Sequence, residues 1–273
     1  MQGFEVGFRT STRMRDGNQD VHLVHPVDDA LLLVVCDGMG GAEGGGRAAR
    51  ICADTVRDHV LAAERPERLS AAIRSAHQAV RAEAARLGTP GMGTTVVAAL
   101  VTETLLEVAW AGDSRLGLLD STGFHWLTED HVQDPGSSVL TRAVGIGEEL
   151  DPAVLAPIAL TAGDTLVLCS DGVHSSVDDG ELFEILSLHP PDAALDRIDL
   201  VLERRAAEDN TTAIVLRIGE PFEDQLTVEI AKIIDVGKPT RERRMVLALV
   251  GVLVILALAA LSTLLAQRLG APL

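Results

Sequence analysis

Four aspartates stand where runs of apolar residues stop or start. The segment Val34-Val35-Cys36-Asp37-Gly38-Met39-Gly40-Gly41 closes a hydrophobic run on a carboxylate and follows it with a glycine-rich turn. Val167-Leu168-Cys169-Ser170-Asp171-Gly172 repeats the pattern, Asp209 opens the run that begins at Thr211, and Asp113 lies between two runs in Gly112-Asp113-Ser114-Arg115. An aspartate beside glycine is ordinarily a turn residue. Four of them at the ends of apolar segments suggest carboxylates converging at one sheet edge, where they repel one another unless cations intervene. Oxygen-only ligands suit magnesium or manganese rather than zinc. Flanking glycines let backbone carbonyls and water approach such ions.

The elements that must carry these acids are legible as short apolar runs. Leu31 to Cys36, Thr95 to Val101, Leu105 to Ala111, Leu116 to Leu119, Thr165 to Cys169 and Thr212 to Ile218 have the length and Val/Leu content of buried strands. Helical spacing of apolar positions marks Gly46 to Ala63, Glu67 to Leu87, Asp179 to Leu188 and Asp192 to Ala207. Strands and helices do not alternate one-to-one, which favours a mixed sheet architecture over a doubly wound parallel one. The 273 residues are 47% hydrophobic with five Phe, two Trp and no Tyr, so the core rests on Val, Leu, Ile and Ala. The net charge is -17; beyond residue 240 lie Glu242 and four arginines, leaving 39 acidic against 19 basic residues before it. So acidic a domain excludes nucleic acid as a main partner. Three scattered cysteines form neither a disulfide framework nor a zinc site.

In these strings the sequence resembles the bacterial metal-dependent protein phosphatases, type 2C serine/threonine phosphatases, over roughly residues 5 to 218. The motifs follow the family's order: Arg15-Asp16-Gly17-Asn18-Gln19-Asp20, Asp37-Gly38-Met39-Gly40-Gly41, Gly93-Thr94-Thr95, Gly112-Asp113-Ser114-Arg115, Thr128-Glu129-Asp130-His131, Leu140-Thr141-Arg142-Ala143-Val144-Gly145, Ser170-Asp171-Gly172 and Asp209-Asn210-Thr211-Thr212. The resemblance implies an α+β fold, a four-layer αββα sandwich of two antiparallel sheets flanked by helices. It implies two manganese or magnesium ions, bridged by Asp37, with the Gly38 carbonyl on one and Asp171 and Asp209 on the other. It also implies that Asp20 orients the attacking water from behind the metal ligands, that Arg15 grips the substrate phosphate, and that Asp113 helps hold a weaker third ion. Catalysis would then use a water activated by two cations. Three positions depart from the pattern: Gln19 replaces a common Glu, Met39 replaces a His found in some members, and Ser175 stands where an acid often supports the third ion. The stretch from Val132 to Val139 is short, so substrate-facing elements there are expected to be trimmed. The remaining histidines, His131 and His174 among them, read as ordinary loop or core residues, and Cys36 and Cys169 as inert strand residues.

The C-terminal part has its own character. Val246 to Leu265 runs for twenty positions without a charge, long enough as a helix to span about 30 Å of hydrocarbon. Lys238, Arg241, Arg243 and Arg244 precede it and only Arg268 follows. The expected organisation is a phosphatase domain at 1–219, a juxtamembrane linker at 220–245, a transmembrane helix at 246–265 and a short external tail at 266–273. The charge bias places the catalytic domain on the cytoplasmic side of the inner membrane. The expected substrates are phosphoproteins, the targets of bacterial Ser/Thr kinases. Two competing functions share the fold: a non-catalytic phosphoprotein-binding regulator, and a phosphatase of anti-sigma antagonist proteins.

Overall fold

The computed structural model describes residues 3–62 and 68–219. In chain order the elements are β1 (Phe4–Ser11), β2 (Asp20–Val27), β3 (Ala30–Met39), α1 (Ala42–Ala62), α2 (Arg68–Leu87), β4 (Gly93–Thr94), β5 (Val96–Val101), β6 (Leu105–Ala111), β7 (Arg115–Asp120), β8 (Gly123–Trp126), β9 (Ala153–Val154), β10 (Ile158–Ala159), β11 (Thr165–Cys169), the one-turn α3 (Asp171–His174), α4 (Asp179–Leu188), α5 (Pro191–Arg204) and β12 (Thr211–Ile218). One sheet has the order β1-β12-β11-β7-β8; the other runs β10-β6-β5-β3-β2, with β9 added to β6 and β4 to the end of β3. Every pairing is antiparallel. The expected mixture of parallel and antiparallel pairs is therefore replaced by the antiparallel sandwich that the resemblance implied.

Period-two alternation builds the layers. Along β3, Ala30, Leu32, Val34 and Cys36 face α1 and α2, while Leu31, Leu33 and Val35 enter the core between the sheets. Along β11, Leu166 and Leu168 join that inter-sheet core, and Val167 and Cys169 pack beneath α4 and α5. Both faces of the central strands are thus covered, which is why they read as continuous apolar runs rather than alternating ones. The α4 helix opens on a capping box, with Asp178 accepting from the Glu181 N–H at 2.9 Å and Glu181 reaching back to the Asp178 N–H.

The expected helices and strands are present with shifted ends: the first helix begins at Ala42 rather than Gly46, and the last ends at Arg204 rather than Ala207. The strands β1, β2, β4, β8, β9 and β10 and the helix α3 add to the sequence reading. Among the described residues no helix is long and apolar enough to cross a membrane. The linker and the apolar stretch from Val246 to Leu265 lie outside the described residues.

Candidate active site

The alternation that buries Leu31, Leu33 and Val35 between the sheets carries on to Asp37, so the strand delivers this carboxylate to the open end of the inter-sheet core. On the neighbouring strand the register sets Asp20 directly opposite Asp37. Like charges facing each other across an antiparallel pair destabilise it. Asp171 begins α3 just past the end of β11, and Asp113 lies in the turn between β6 and β7. All three of these acids act on Asp37: burial is the largest cause raising its carboxyl well above the ordinary range, and the charges of Asp20, Asp171 and Asp113 add to it. Burial likewise pushes Asp20 up to about 6 against the opposing bond from Ser170, and Asp113 up to about 6 with Asp171 contributing.

Backbone anchors fix these carboxylates in place. The Asp37 N–H donates to Thr95 Oγ1 at 3.0 Å, and the Asp37 carbonyl accepts from Thr95 N and Thr94 Oγ1, both at 2.8 Å. Thr95 Oγ1 in turn meets Ser114 Oγ at 2.7 Å, joining the β3 end to the turn that holds Asp113. Ser170 Oγ donates to Asp20 Oδ2 at 2.8 Å, tying one sheet to the other. Glycine is required at two contacts. A Cβ on Gly38 would overlap the Gly45 carbonyl and come within 2.8 Å of the Gln19 carbonyl, and one on Gly172 would overlap the Asn210 carbonyl.

Two oxygens decide whether this cluster suits cations. Asp20 Oδ1 and Asp171 Oδ1 are buried without a hydrogen-bond partner, and a buried polar atom left unpaired costs about 1–3 kcal/mol. Orphaned carboxylate oxygens among mutually repelling acids are what divalent oxygen-ligated cations satisfy. The residues therefore fit magnesium or manganese. Among the described residues no three carboxylate, imidazole or thiolate groups are already closed into a ligand cage. Asp209 is instead engaged by Arg15.

Arg15 binds Asp209 with both arms, Nε to Oδ1 at 3.0 Å and an Nη to Oδ2 at 2.8 Å. The pairing of β1 with β12 brings their segments together. The buried Asn210 then pins the arginine loop, donating to the carbonyls of Thr12 and Gly17 at 3.1 Å each and accepting from the Gln19 N–H at 2.8 Å. Both side chains of the Arg15–Asp209 pair are about half exposed, and an exposed pair contributes only about 0–1 kcal/mol. A divalent cation can draw Asp209 away at little cost, and phosphate can draw Arg15.

A cleft of about 570 Å³ opens over the acids, lined on one wall by Asp37, Met39, Asp113 and Asp171 and on the other by Ser138, Leu140 to Ala143, Ile146, Gly147 and Glu149 to Asp151. This second wall is stitched down by the bridge between Thr94 and Val144 and by the buried His77 of α2. The Gly145 N–H donates to His77 Nδ1 at 3.1 Å, so the ring proton sits on Nε2, which lies 3.4 Å from the Glu148 carbonyl. Arg81 donates to the same carbonyl at 2.9 Å. The segment from Val132 to Leu140 is a small closed loop held by one bridge.

Of the acids singled out in the sequence, Asp20, Asp37, Asp113 and Asp171 converge, Gly38 lies in the cradle beside them, and Asp209 sits at the rim on Arg15. Sequence reasoning missed the supporting side chains. His131 accepts the Gly112 N–H at 3.1 Å and stacks on Trp110, while His174 Nε2 lies 2.9 Å from the Asp113 carbonyl, so these two histidines shape the Asp113 turn. Arg115 binds Asp130 with two contacts of 2.7 Å and lies over the Trp126 ring. No spacing in the chain announces these partners, and His77 lies 68 residues from the glycine it holds. Cys36 and Cys169 are buried, and burial pushes the Cys169 thiol up to about 12, so it carries no thiolate.

Comparison with known proteins agrees with this geometry. The chain is 28% identical over 239 residues to the serine/threonine phosphatase Stp of Listeria monocytogenes, covering 77% of this chain and 94% of that protein. Its fold is similar to that of PppA of Pseudomonas aeruginosa, with a TM-score of 0.72 and 32% identity over 79% of this chain and 97% of that one. It is similar also to the catalytic domain of the serine/threonine phosphatase PstP solved with two manganese ions, with a TM-score of 0.71 and 25% identity over 80% and 99% of the two chains. The protein phosphatase 2C family model matches residues 11–209. Its acids, its Arg15 loop and its two antiparallel sheets thus have one common explanation: the chain belongs to the protein phosphatase 2C family.

Proposed function

We propose that this protein is a metal-dependent protein-serine/threonine phosphatase that hydrolyses phosphoserine and phosphothreonine with an activated water. The observation that carries the reading is the facing pair Asp20 and Asp37, with Asp171 beside them and two buried carboxylate oxygens lacking partners. Asp37, the Gly38 carbonyl, Asp171 and Asp209 would hold two manganese or magnesium ions, and Asp113 a weaker third. Bound there, the ions supply a nucleophilic hydroxide at neutral pH and neutralise charge on the phosphate. The chain's own residues do the rest. Arg15, released from Asp209, offers two parallel N–H groups to phosphate oxygens, a geometry suited to holding the charge that spreads over them in the transition state. Asp20, held by Ser170, keeps one oxygen aimed into the cluster and so orients the attacking water. Met39 lines the cleft but its thioether donates no proton, so the leaving oxygen takes its proton from water. Turnover of a phosphothreonine peptide that appears with manganese and vanishes with chelator tests the assignment. Phosphate release unaffected by chelator would reject it.

The same reading extends to place and partners. Support for a membrane anchor is the uncharged stretch from Val246 to Leu265 behind a basic cluster, which would hold the catalytic domain on the cytoplasmic face of the inner membrane. There it would act on the products of bacterial Ser/Thr kinases. Fractionation tests the anchor: the full chain should pellet with membranes and need detergent for release, whereas a chain ending at Arg241 should stay in the supernatant. Full-length protein in the supernatant would remove the anchor from the account.

A further inference from the structure

A second groove, of about 630 Å³, lies beside the cleft on the α2 side of the β6 sheet. Its floor is apolar and buried, made by Leu69 at the start of α2 and by Pro152. Its outer wall is the segment from Asp151 to Pro157, in which Val154 is 58% exposed. The groove is preformed. Val154 is registered against Ala109 of β6, and the Leu155 N–H donates to the Val108 carbonyl at 3.2 Å. It is also continuous with the cleft, since Arg142 and Asp151 line both. At that junction Arg142 contacts His131 Nε2 at 3.4 Å and has no carboxylate partner among the described residues. Arg74, on the groove wall, faces Asp151 at 3.6 Å across solvent.

We propose that this groove binds the polypeptide flanking the phosphorylated residue of the protein substrate, with apolar flanking side chains over Leu69, Pro152 and Val154. This rests on the phosphatase reading and adds to it where specificity resides. The occupant follows from continuity: a protein substrate with its phosphate among the acids must leave the cleft as a chain, and this groove adjoins the cleft through two shared side chains. Its apolar floor and its balance of Arg74 and Arg142 against Glu107 and Asp151 suit a weakly charged flank. A preformed apolar site needs little ordering on binding, so such a flank gains affinity. A small aryl phosphate cannot reach it, and its turnover reports the catalytic centre alone.

The test uses the full chain in manganese, with three substrates: an aryl phosphate, a blocked tripeptide centred on phosphothreonine, and that tripeptide extended on both sides by apolar-rich flanks. Wild type should show a KM for the extended peptide about tenfold below that of the tripeptide, a difference of about 1.4 kcal/mol in binding. Val154→Asp should erase that advantage while leaving the aryl phosphate within twofold in kcat/KM, and Val154→Leu should keep it. A flank that gives no advantage in wild type, or an advantage that survives Val154→Asp, overturns the proposal. Loss of a dimer in Val154→Asp with peptide KM unchanged also overturns it, assigning the groove to a second copy of the chain. Failure of wild type to turn over even the aryl phosphate is a distinct result and removes the phosphatase reading itself.

Discussion

Asp20 provides the sharpest test of how the carboxylates are held. Its folded-state pKa of about 6 lies above its ordinary value of 3.8, because burial, and after it the charge of Asp171, disfavours the charged form. A carboxyl raised in this way contributes stability when protonated. That contribution is fully present below the unfolded pKa and is lost as pH rises through about 6. At pH 7.5 the ionised group costs the metal-free fold about 3 kcal/mol, and at pH 5.5 about 2 kcal/mol, at 1.36 kcal/mol per pKa unit. Asn at this position keeps the shape, still accepts from Ser170 Oγ, and turns an amide donor toward Asp37. Asp20→Asn should therefore raise the melting temperature in chelator at pH 7.5 by roughly 6–12 °C for a domain of this size. The gain should be smaller at pH 5.5. Manganese should remove or reverse it, because the variant gives up a negative charge that favours the cation. Comparing variant with wild type at each pH cancels the histidines His22, His77, His131 and His174, whose lowered pKa values pull stability the opposite way. A variant no more stable than wild type at pH 7.5 in chelator, or a gain independent of both pH and manganese, would refute the electrostatic argument.

Three further substitutions probe neighbouring parts. Gly38→Ala drives a methyl into the Gly45 and Gln19 backbone; overpacking of this kind costs about 1–3 kcal/mol, and denaturant titration of a fold left equally stable would show that the two segments are not in contact. His77→Leu leaves the Gly145 N–H unpaired, an expected loss of about 1–3 kcal/mol, and raises the KM for a phosphopeptide more than that for an aryl phosphate; Asn, which can still accept, should fall between Leu and wild type. Met39→His supplies a proton donor at the cleft wall, and general acid catalysis contributes roughly 10²–10⁴-fold where it is well aimed. Turnover of phosphoserine peptide should then rise more than turnover of aryl phosphate, with a new pH dependence near the histidine pKa, whereas equal effects would place residue 39 away from the leaving group.

The strands legible in the sequence are those covered on both faces, such as β3, β6 and β11, whose apolar runs need no alternation to be seen. The edge strand β2 was hidden because Asp20, His22, His25 and Pro26 interrupt it, and an edge position is where a sheet tolerates proline. Missing β2 meant missing its register, so the sequence could name Asp20 and Asp37 but not set them face to face. Asp113 and Asp171 are visible because only one residue separates each from the end of an apolar run. The pairing of Asp209 with Arg15 is not, since it depends on β1 pairing with β12 across nearly the whole domain. The wall opposite the acids was the least legible part. It has almost no regular structure, and its anchors Thr94 and His77 are distant in sequence.

The central claim is that Asp37 serves as a cation-dependent hydrolytic centre rather than a structural turn acid. Initial rates of phosphate release from a phosphothreonine peptide, measured across matched free manganese for wild type and Asp37→Asn, test it most directly. The account predicts no turnover of wild type in chelator, a saturable rise with manganese, and no recovery of the variant at any manganese concentration at which it remains folded by circular dichroism. Turnover of the variant equal to wild type at matched free manganese would contradict it.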